Sequence, residues 1–188
     1  MIIQVDGHLP ESYQLTVAGM IRDLPVIAIG EHLAIASFVL LGDTEMAAKS
    51  AIALADVVPE ADVIMTAEAK GIPLVQELSR ICQMPHYVVA RKSVKSYMYD
   101  ELKLEVKSIT TDKVQTLVLD GKDAELIRGK RVLLVDDVIS TGESLDAMQK
   151  LVEAAGAVLV GKAAILAEGD AADRDDIIFL EPLPLFTY

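Results

Sequence analysis

The alternation of short apolar runs with helical patterns is the feature that most constrains how this chain folds. Patterns with apolar residues every three or four positions occupy 44–58, 72–82 and 143–155 and predict helices. Strands are predicted for SFVLL (37–41), DVIMT (62–66), HYVVA (86–90), RVLLV (131–135), AVLVGKAAIL (157–166) and DIIFL (176–180). Such alternation predicts an α/β fold, a mostly parallel sheet flanked by helices, whose ligands bind at the carboxyl ends of the strands.

The remaining segments predict smaller additions to one domain of 188 residues. Residues 101–120 alternate apolar and polar side chains, which predicts a two-stranded excursion from the sheet. Residues 1–35 and the proline-containing C-terminal tail do not follow the alternation, and we expect them to pack together beside a core of about 37–180. A chain of this length buries roughly 70% of its unfolded surface without disulfides or metal.

The composition limits the kinds of partner and the cellular setting that we expect for this protein. The net charge of −12 argues against broad binding to nucleic acid or to anionic membranes. No apolar run reaches the roughly 18 residues of a membrane span. Cys82 is the only cysteine, and no secretory leader opens the sequence, so we expect a reducing, cytoplasmic setting.

An acidic pair followed by a hydroxyl-rich turn gives the strongest functional signal. Asp136 and Asp137 follow the run RVLLV, and the turn ISTGES leads into the next predicted helix. The free backbone N–H groups of a helix start bind phosphate, and Ser140, Thr141 and Ser144 add hydroxyl donors. The two acids suit sugar hydroxyls or a divalent cation. Simple helix capping, phospho-aspartate receivers and metal-dependent phosphatases are alternatives at this point.

A basic cluster offers a second place for phosphate groups. Five of the seventeen basic residues lie close together: Arg91, Lys92, Lys95, Lys103 and Lys107. A solvated charged hairpin is the alternative explanation. Neither a GxxxxGK nor a GxGxxG loop occurs, so the usual nucleoside-triphosphate and dinucleotide sites are not supported.

Three segments together resemble type I phosphoribosyltransferases, closest to the adenine enzymes. VLLVDDVISTGES is similar to their phosphoribosyl pyrophosphate signature. The resemblance implies that Asp136 and Asp137 hold the ribose hydroxyls. It also implies that the loop holds the 5-phosphate through Ser140, Thr141, Gly142, Glu143 and Ser144, with Glu143 contributing its backbone.

The other two segments imply a pyrophosphate site. AEAKG resembles the pyrophosphate loop, with Glu68, Ala69, Lys70 and Gly71 in its four places and a cis peptide near Glu68 and Ala69. ARKSVK fits the RKxxK pattern, which implies that Arg91, Lys92 and Lys95 meet pyrophosphate oxygens. The resemblance further implies a homodimer, in which a partner subunit can supply some of these contacts.

The reaction implied is transfer of the phosphoribosyl group to a purine, with adenine giving AMP and pyrophosphate as the first choice. Mg²⁺ would be carried mainly by the substrate, residues 93–112 would form a closing flap, and Glu105 would handle the proton of the base. The segment RDLPVIAIGEHLAIASF lacks the adenine-type PGxxFxDI pattern, so the base pocket is not identified. Hypoxanthine, guanine, xanthine and orotate stay open, as do a non-catalytic phosphoribosyl pyrophosphate sensor and an unrelated sugar-phosphate-binding domain.

Overall fold

The fold is described from a computed structural model over residues 1–107 and 114–188. Within these ranges the strands are β1 (Ile2–Gln4), β2 (Ser12–Val17), β3 (Met20–Ala28), β4 (Leu33–Ala36), β5 (Val63–Ala67), β6 (Tyr87–Ala90), β7 (Leu102–Lys107), β8 (Val114–Leu119), β9 (Arg131–Ile139), β10 (Val158–Glu168), β11 (Ile178–Leu183) and β12 (Leu185–Thr187). The α-helices are α1 (Thr44–Ala55), α2 (Ile72–Ile81), α3 (Gly121–Ile127) and α4 (Glu143–Ala154), and a 3-10 helix covers Gly169–Asp173.

A parallel five-stranded sheet, in the order β11-β10-β9-β5-β6, forms the centre of the protein. Helices α1 and α2 pack on one face, where Leu133 and Val135 point, and α3 and α4 pack on the other, where Val132 and Leu134 point. Successive strands are added outward from β5 to β6 on one side of the sheet and from β9 through β10 to β11 on the other, so the strand order reverses between β5 and β9. The switch between β5 and β9 is where parallel sheets bind ligands at their carboxyl edge.

The predicted α/β fold is confirmed, with differences in single elements. Strand β9 runs to Ile139, so Asp136 and Asp137 lie inside the strand, and α3 was not predicted. The strand predicted at 37–41 is wrong, because β4 ends at Ala36 and no strand covers 37–41. Phe38 and Leu40 are apolar because they are buried in the segment that connects β4, which belongs to a second sheet, with α1.

A second five-stranded sheet, which we call the terminal sheet, has the order β1-β12-β4-β3-β2. Strand β1 pairs in parallel with β12, with Gln4 opposite Thr187, and the other pairs are antiparallel. Phe186 is 2% exposed, and its ring meets Tyr13 edge-on at a centroid distance of 6.1 Å. Residues near both ends of the sequence therefore complete a single sheet.

Strands β7 and β8 form an antiparallel hairpin, as the alternating pattern of 101–120 predicted. Backbone hydrogen bonds in both directions between Arg91 and Val118 join it to the end of β6. The part of the predicted flap at 108–113 lies outside the described residues. Across the described ranges, none of the helices combines the length and apolar character that a bilayer crossing requires.

Candidate functional site

The acidic pair lies on β9, one of the two strands that border the switch point. Asp137 is only 2% exposed, and its backbone N–H donates to Asp136 Oδ1 at 2.9 Å. Burial, together with the neighbouring Asp137 charge, raises the pKa of Asp136 to about 7. Among the described residues, Asp137 Oδ2 has no hydrogen-bond donor, and Lys70 Nζ lies 3.4 Å away. This oxygen is buried and available, so a ligand hydroxyl or a cation would satisfy it.

The turn after β9 has the geometry of an anion site. Gly142 has a φ of +82°, which an L-residue adopts only with strain, and α4 begins at the next residue, Glu143. The first backbone N–H groups of α4 therefore face a small pocket. Its lining residues are Asp136, Val138, Ile139, Ser140, Thr141, Gly142, Glu143, Ser144 and Leu145.

Gly142 also makes room for a residue that the sequence analysis missed. A Cβ atom at this position would collide with Nη1 of Arg174. Arg174 donates to both carboxylate oxygens of Asp176, at 2.8 and 2.7 Å. Its charge is thus held beside the turn, although no motif in the sequence identifies it.

The loop after β5 lies against the acidic pair because Gly71 has no side chain. A Cβ on Gly71 would overlap Thr66 Oγ1 and lie 3.1 Å from Asp136 Oδ1. The peptide bond between Glu68 and Ala69 is cis, as the family resemblance predicted. This close approach places Lys70 over Asp137.

Glu68 connects this loop to the basic segment after β6. Its Oε2 accepts a hydrogen bond from the Lys92 backbone N–H at 3.0 Å and lies 3.3 Å from Arg91 Nε. The Lys92 hydrogen bond is the main cause of a lowered pKa of Glu68, and the Arg91 charge adds to it. Glu68 is therefore an anion that holds basic residues in place beside the cleft.

The loops and the acidic pair enclose a cleft of about 240 Å³, which we call the acidic cleft. Seven of the predicted site residues line it: Glu68, Ala69, Lys70, Lys92, Asp136, Asp137 and Ser144. Lys95 and Glu105 are not among its lining residues. Lys95 Nζ donates to Ser93 Oγ at 2.7 Å, and the exposed Glu105 lies 3.1 Å from Lys103 Nζ.

A neighbouring cleft of about 280 Å³ lies where the two large sheets meet, and we call it the junction cleft. It shares Lys70 and Val138 with the acidic cleft. Its lining residues are Ile35, Ala36, Ser37, Phe38, Val39, Lys70, Val138, Ser140, Glu168 and Leu183. Burial raises the pKa of Glu168. No motif in the sequence identifies this cleft, and its signal is limited to an acid, Glu168, just after a predicted apolar strand.

Fold and site together define a parallel α/β protein in which an acidic pair and a turn with the geometry of an anion site lie at the switch point. The family model for the phosphoribosyl transferase domain matches residues 44–182, which is most of the chain. The chain belongs to this family, as the resemblance predicted.

The similar curated proteins are named for oxopurine bases. A hypoxanthine/guanine phosphoribosyltransferase of Methanothrix thermoacetophila is 35% identical over 116 residues, which cover 61% of this chain and 56% of that protein. One of Methanococcus voltae is 38% identical over 113 residues, which cover 60% of this chain and 56% of that protein. The matched stretch thus spans little more than half the length of these relatives.

The similar solved structures are named for adenine. The adenine phosphoribosyltransferase of Thermoanaerobacter pseudethanolicus superimposes with a TM-score of 0.63 at 25% identity, over 76% of this chain and 83% of that chain. The Saccharomyces cerevisiae adenine enzyme gives a TM-score of 0.61 at 18% identity, over 91% and 92% of the two chains. The yeast likeness concerns the fold alone.

Proposed function

We propose that this protein transfers the phosphoribosyl group of phosphoribosyl pyrophosphate to a purine, adenine being the acceptor, and releases pyrophosphate and AMP. The acidic cleft is the observation that supports this proposal. It combines a buried acceptor oxygen on Asp137 with the cation of Lys70, and the turn that can bind phosphate borders it through Ser144. A sugar that carries phosphates at both ends requires this combination.

Each part of the substrate has a complementary part of the site. The ribose hydroxyls donate to Asp136 and Asp137, and charge-assisted hydrogen bonds of this kind are strong. The 5-phosphate docks on the turn at 140–144, where backbone N–H groups and hydroxyls converge. Pyrophosphate binds beside Lys70 and Lys92, and Arg91 and Lys95 are further cations for its oxygens. A partner subunit of a homodimer can supply some of these contacts.

The acidic pair also fits a magnesium ion carried by the substrate. Over the described residues there is no group of three or more His, Cys, Asp or Glu side chains that could hold a metal alone. Mg²⁺ commonly takes one or two carboxylates, with water and substrate phosphates completing its shell. The ion would neutralise the charge that develops on pyrophosphate.

The transfer breaks the bond between the ribose anomeric carbon and pyrophosphate while a purine nitrogen attacks. Lys70 and the basic segment stabilise the departing pyrophosphate, and closure of the β7–β8 hairpin region excludes water. Glu105, on β7, is the candidate for accepting the proton of the base.

Glu105→Gln should lower turnover about a hundredfold, at the low end of general acid–base effects, with little change in phosphoribosyl pyrophosphate affinity. Single-turnover kinetics measure this change. Glu101→Gln, a nearby exposed acid, is the control. Unchanged turnover in Glu105→Gln would assign the proton to another group.

The decisive experiment measures pyrophosphate release. Protein, phosphoribosyl pyrophosphate and Mg²⁺ are mixed with adenine, hypoxanthine, guanine, xanthine or orotate in turn, with a reaction lacking base as the control. We expect release with adenine. Tight substrate binding without turnover of any base would refute the enzyme and favour the sensor. Light scattering of the same sample tests the proposed homodimer.

A further inference from the structure

Among the residues that the structure describes, Glu168 is the one acid that lines the junction cleft, and the proposed transfer does not yet use it. It is the last residue of β10, where Ala167 pairs with Ile139 of β9 and Glu168 pairs with Leu183 of β11. The side chain is partly buried. Over residues 1–107 and 114–188, its carboxylate makes no hydrogen bond or ion pair. A carboxylate in such a cleft is a free acceptor.

The rest of the junction cleft suits a flat aromatic molecule. Ile35, Phe38, Val39 and Leu183 provide apolar walls, and Ser37 and Ser140 provide hydroxyls. Lys70 and Glu168 add charged groups, and polar groups placed beside apolar side chains fix the orientation of a bound small molecule.

The junction cleft also lies beside the place proposed for the ribose. Lys70 and Val138 line both clefts, and Ser140 lines both the junction cleft and the pocket of the phosphate turn. A base attached to a ribose in the acidic cleft would therefore extend into the junction cleft. Burial raises the pKa of Glu168, and the positive charge of Lys70 opposes this shift.

We propose that Glu168 faces the substituent at position six of the purine and selects an amino group over an oxo group. This inference rests on the proposed phosphoribosyl transfer and adds its specificity. An ionised carboxylate only accepts hydrogen bonds. The adenine amino group offers it two N–H donors, whereas the oxygen at position six of hypoxanthine or guanine places a second acceptor against a negative charge.

The test compares adenine with hypoxanthine, which differ at position six, in the wild type and in Glu168→Gln. The amide of Gln accepts from an amino group through its oxygen and donates to an oxo group through its NH₂. We expect the wild type to prefer adenine in kcat/KM by about a hundredfold, a ratio within the range of single polar contacts. Glu168→Gln should reduce this preference at least tenfold and leave the KM for phosphoribosyl pyrophosphate unchanged. Glu31→Gln removes the same charge from an exposed residue outside the cleft and is the matched control.

Equilibrium binding of AMP and IMP separates this inference from the proposed function. If no base is turned over, the proposed transfer is refuted. The role of Glu168 is still supported if the wild type binds AMP more tightly than IMP and if Glu168→Gln reduces this difference in affinity. A wild type that binds both nucleotides equally, or prefers IMP, overturns the inference. An AMP/IMP ratio that is the same in the wild type and in Glu168→Gln also overturns it, because a purely structural acid would change both affinities together.

Discussion

The acidic cleft and the junction cleft are neighbours, but they are built in different ways. The acidic cleft is formed mainly by short continuous segments at the carboxyl edge of one parallel sheet, at 68–70, 136–138 and Ser144. The junction cleft combines single residues from distant positions, including Glu168 and Leu183, with residues 35–39 beside the terminal sheet. A continuous loop leaves a recognisable motif, whereas a surface assembled across two sheets leaves none.

The largest expected effect is on the acidic cleft. Changing Asp136 and Asp137 together to Asn replaces carboxylates by amides, and at pH 8, where Asp136 has lost its proton, two charge-assisted hydrogen bonds contribute roughly 3–6 kcal/mol. We expect phosphoribosyl pyrophosphate affinity to fall about a thousandfold by calorimetry, which corresponds to about 4 kcal/mol. Asp6→Asn with Asp56→Asn removes two exposed charges elsewhere as the control. An affinity equal to that of this control would refute the ribose role.

The next effect is on the junction cleft. Phe186 pairs with Ala34, which directly precedes the cleft residues at 35–39. Phe186→Ala should cost about 3 kcal/mol of unfolding free energy, because it leaves a cavity beside Tyr13. Denaturant unfolding measures this loss, and we expect the KM for the base to rise while phosphoribosyl pyrophosphate affinity stays constant.

Phe186→Leu, which keeps more of the side-chain volume, is the matched variant for this effect. It should lose less stability and retain the base KM. Equal losses of affinity for both substrates in Phe186→Ala would show that the two clefts are not independent.

A smaller effect tests how closely the loop after β5 lies against β9. Gly71 has a negative φ, so Gly71→Ala adds only a steric clash, with Thr66 and Asp136. Overpacking of this kind costs about 2 kcal/mol. Thermal unfolding should show the loss, together with weaker phosphoribosyl pyrophosphate binding. Gly30→Ala, whose nearest contact would be Leu33 Cβ at 3.9 Å, should leave both unchanged.

The smallest expected effect is a pH dependence that originates in the acidic cleft. Asp136 keeps its proton up to about pH 7 in the folded protein, whereas the unfolded chain loses it near 3.8. The folded state thus binds the extra proton between these values, so this group lowers stability as pH rises from 4 to 7. Asp136→Asn should gain stability relative to the wild type by about 1.4 kcal/mol between pH 5 and pH 6, the energy that corresponds to one bound proton over one pH unit. A constant difference across that range would refute the raised pKa.

The sequence predicted the parallel sheet and the acidic cleft because their signals are local. Val132 to Val135 form an apolar run in a buried strand, and the Ser140–Ser144 turn follows directly along the chain. The junction cleft depends on which strand lies beside Ala34, and that pairing joins residues about 150 positions apart. The wrong prediction of a strand at 37–41 has the same cause. Apolar residues such as Phe38 and Leu40 indicate that a segment is buried, but they do not indicate whether it pairs with a strand.

The pairing of Gln4 with Thr187 also orders events during synthesis. A ribosome releases β2, β3 and β4 early, and these strands can pair with one another as soon as they emerge. Strand β1 has no partner until β12 has been made, after every strand of the parallel sheet has left the ribosome. Its backbone donors and acceptors stay open throughout that interval, and such edges promote misassembly. Strand β1 is therefore made before the other strands of the terminal sheet but joins that sheet only when β12 is present.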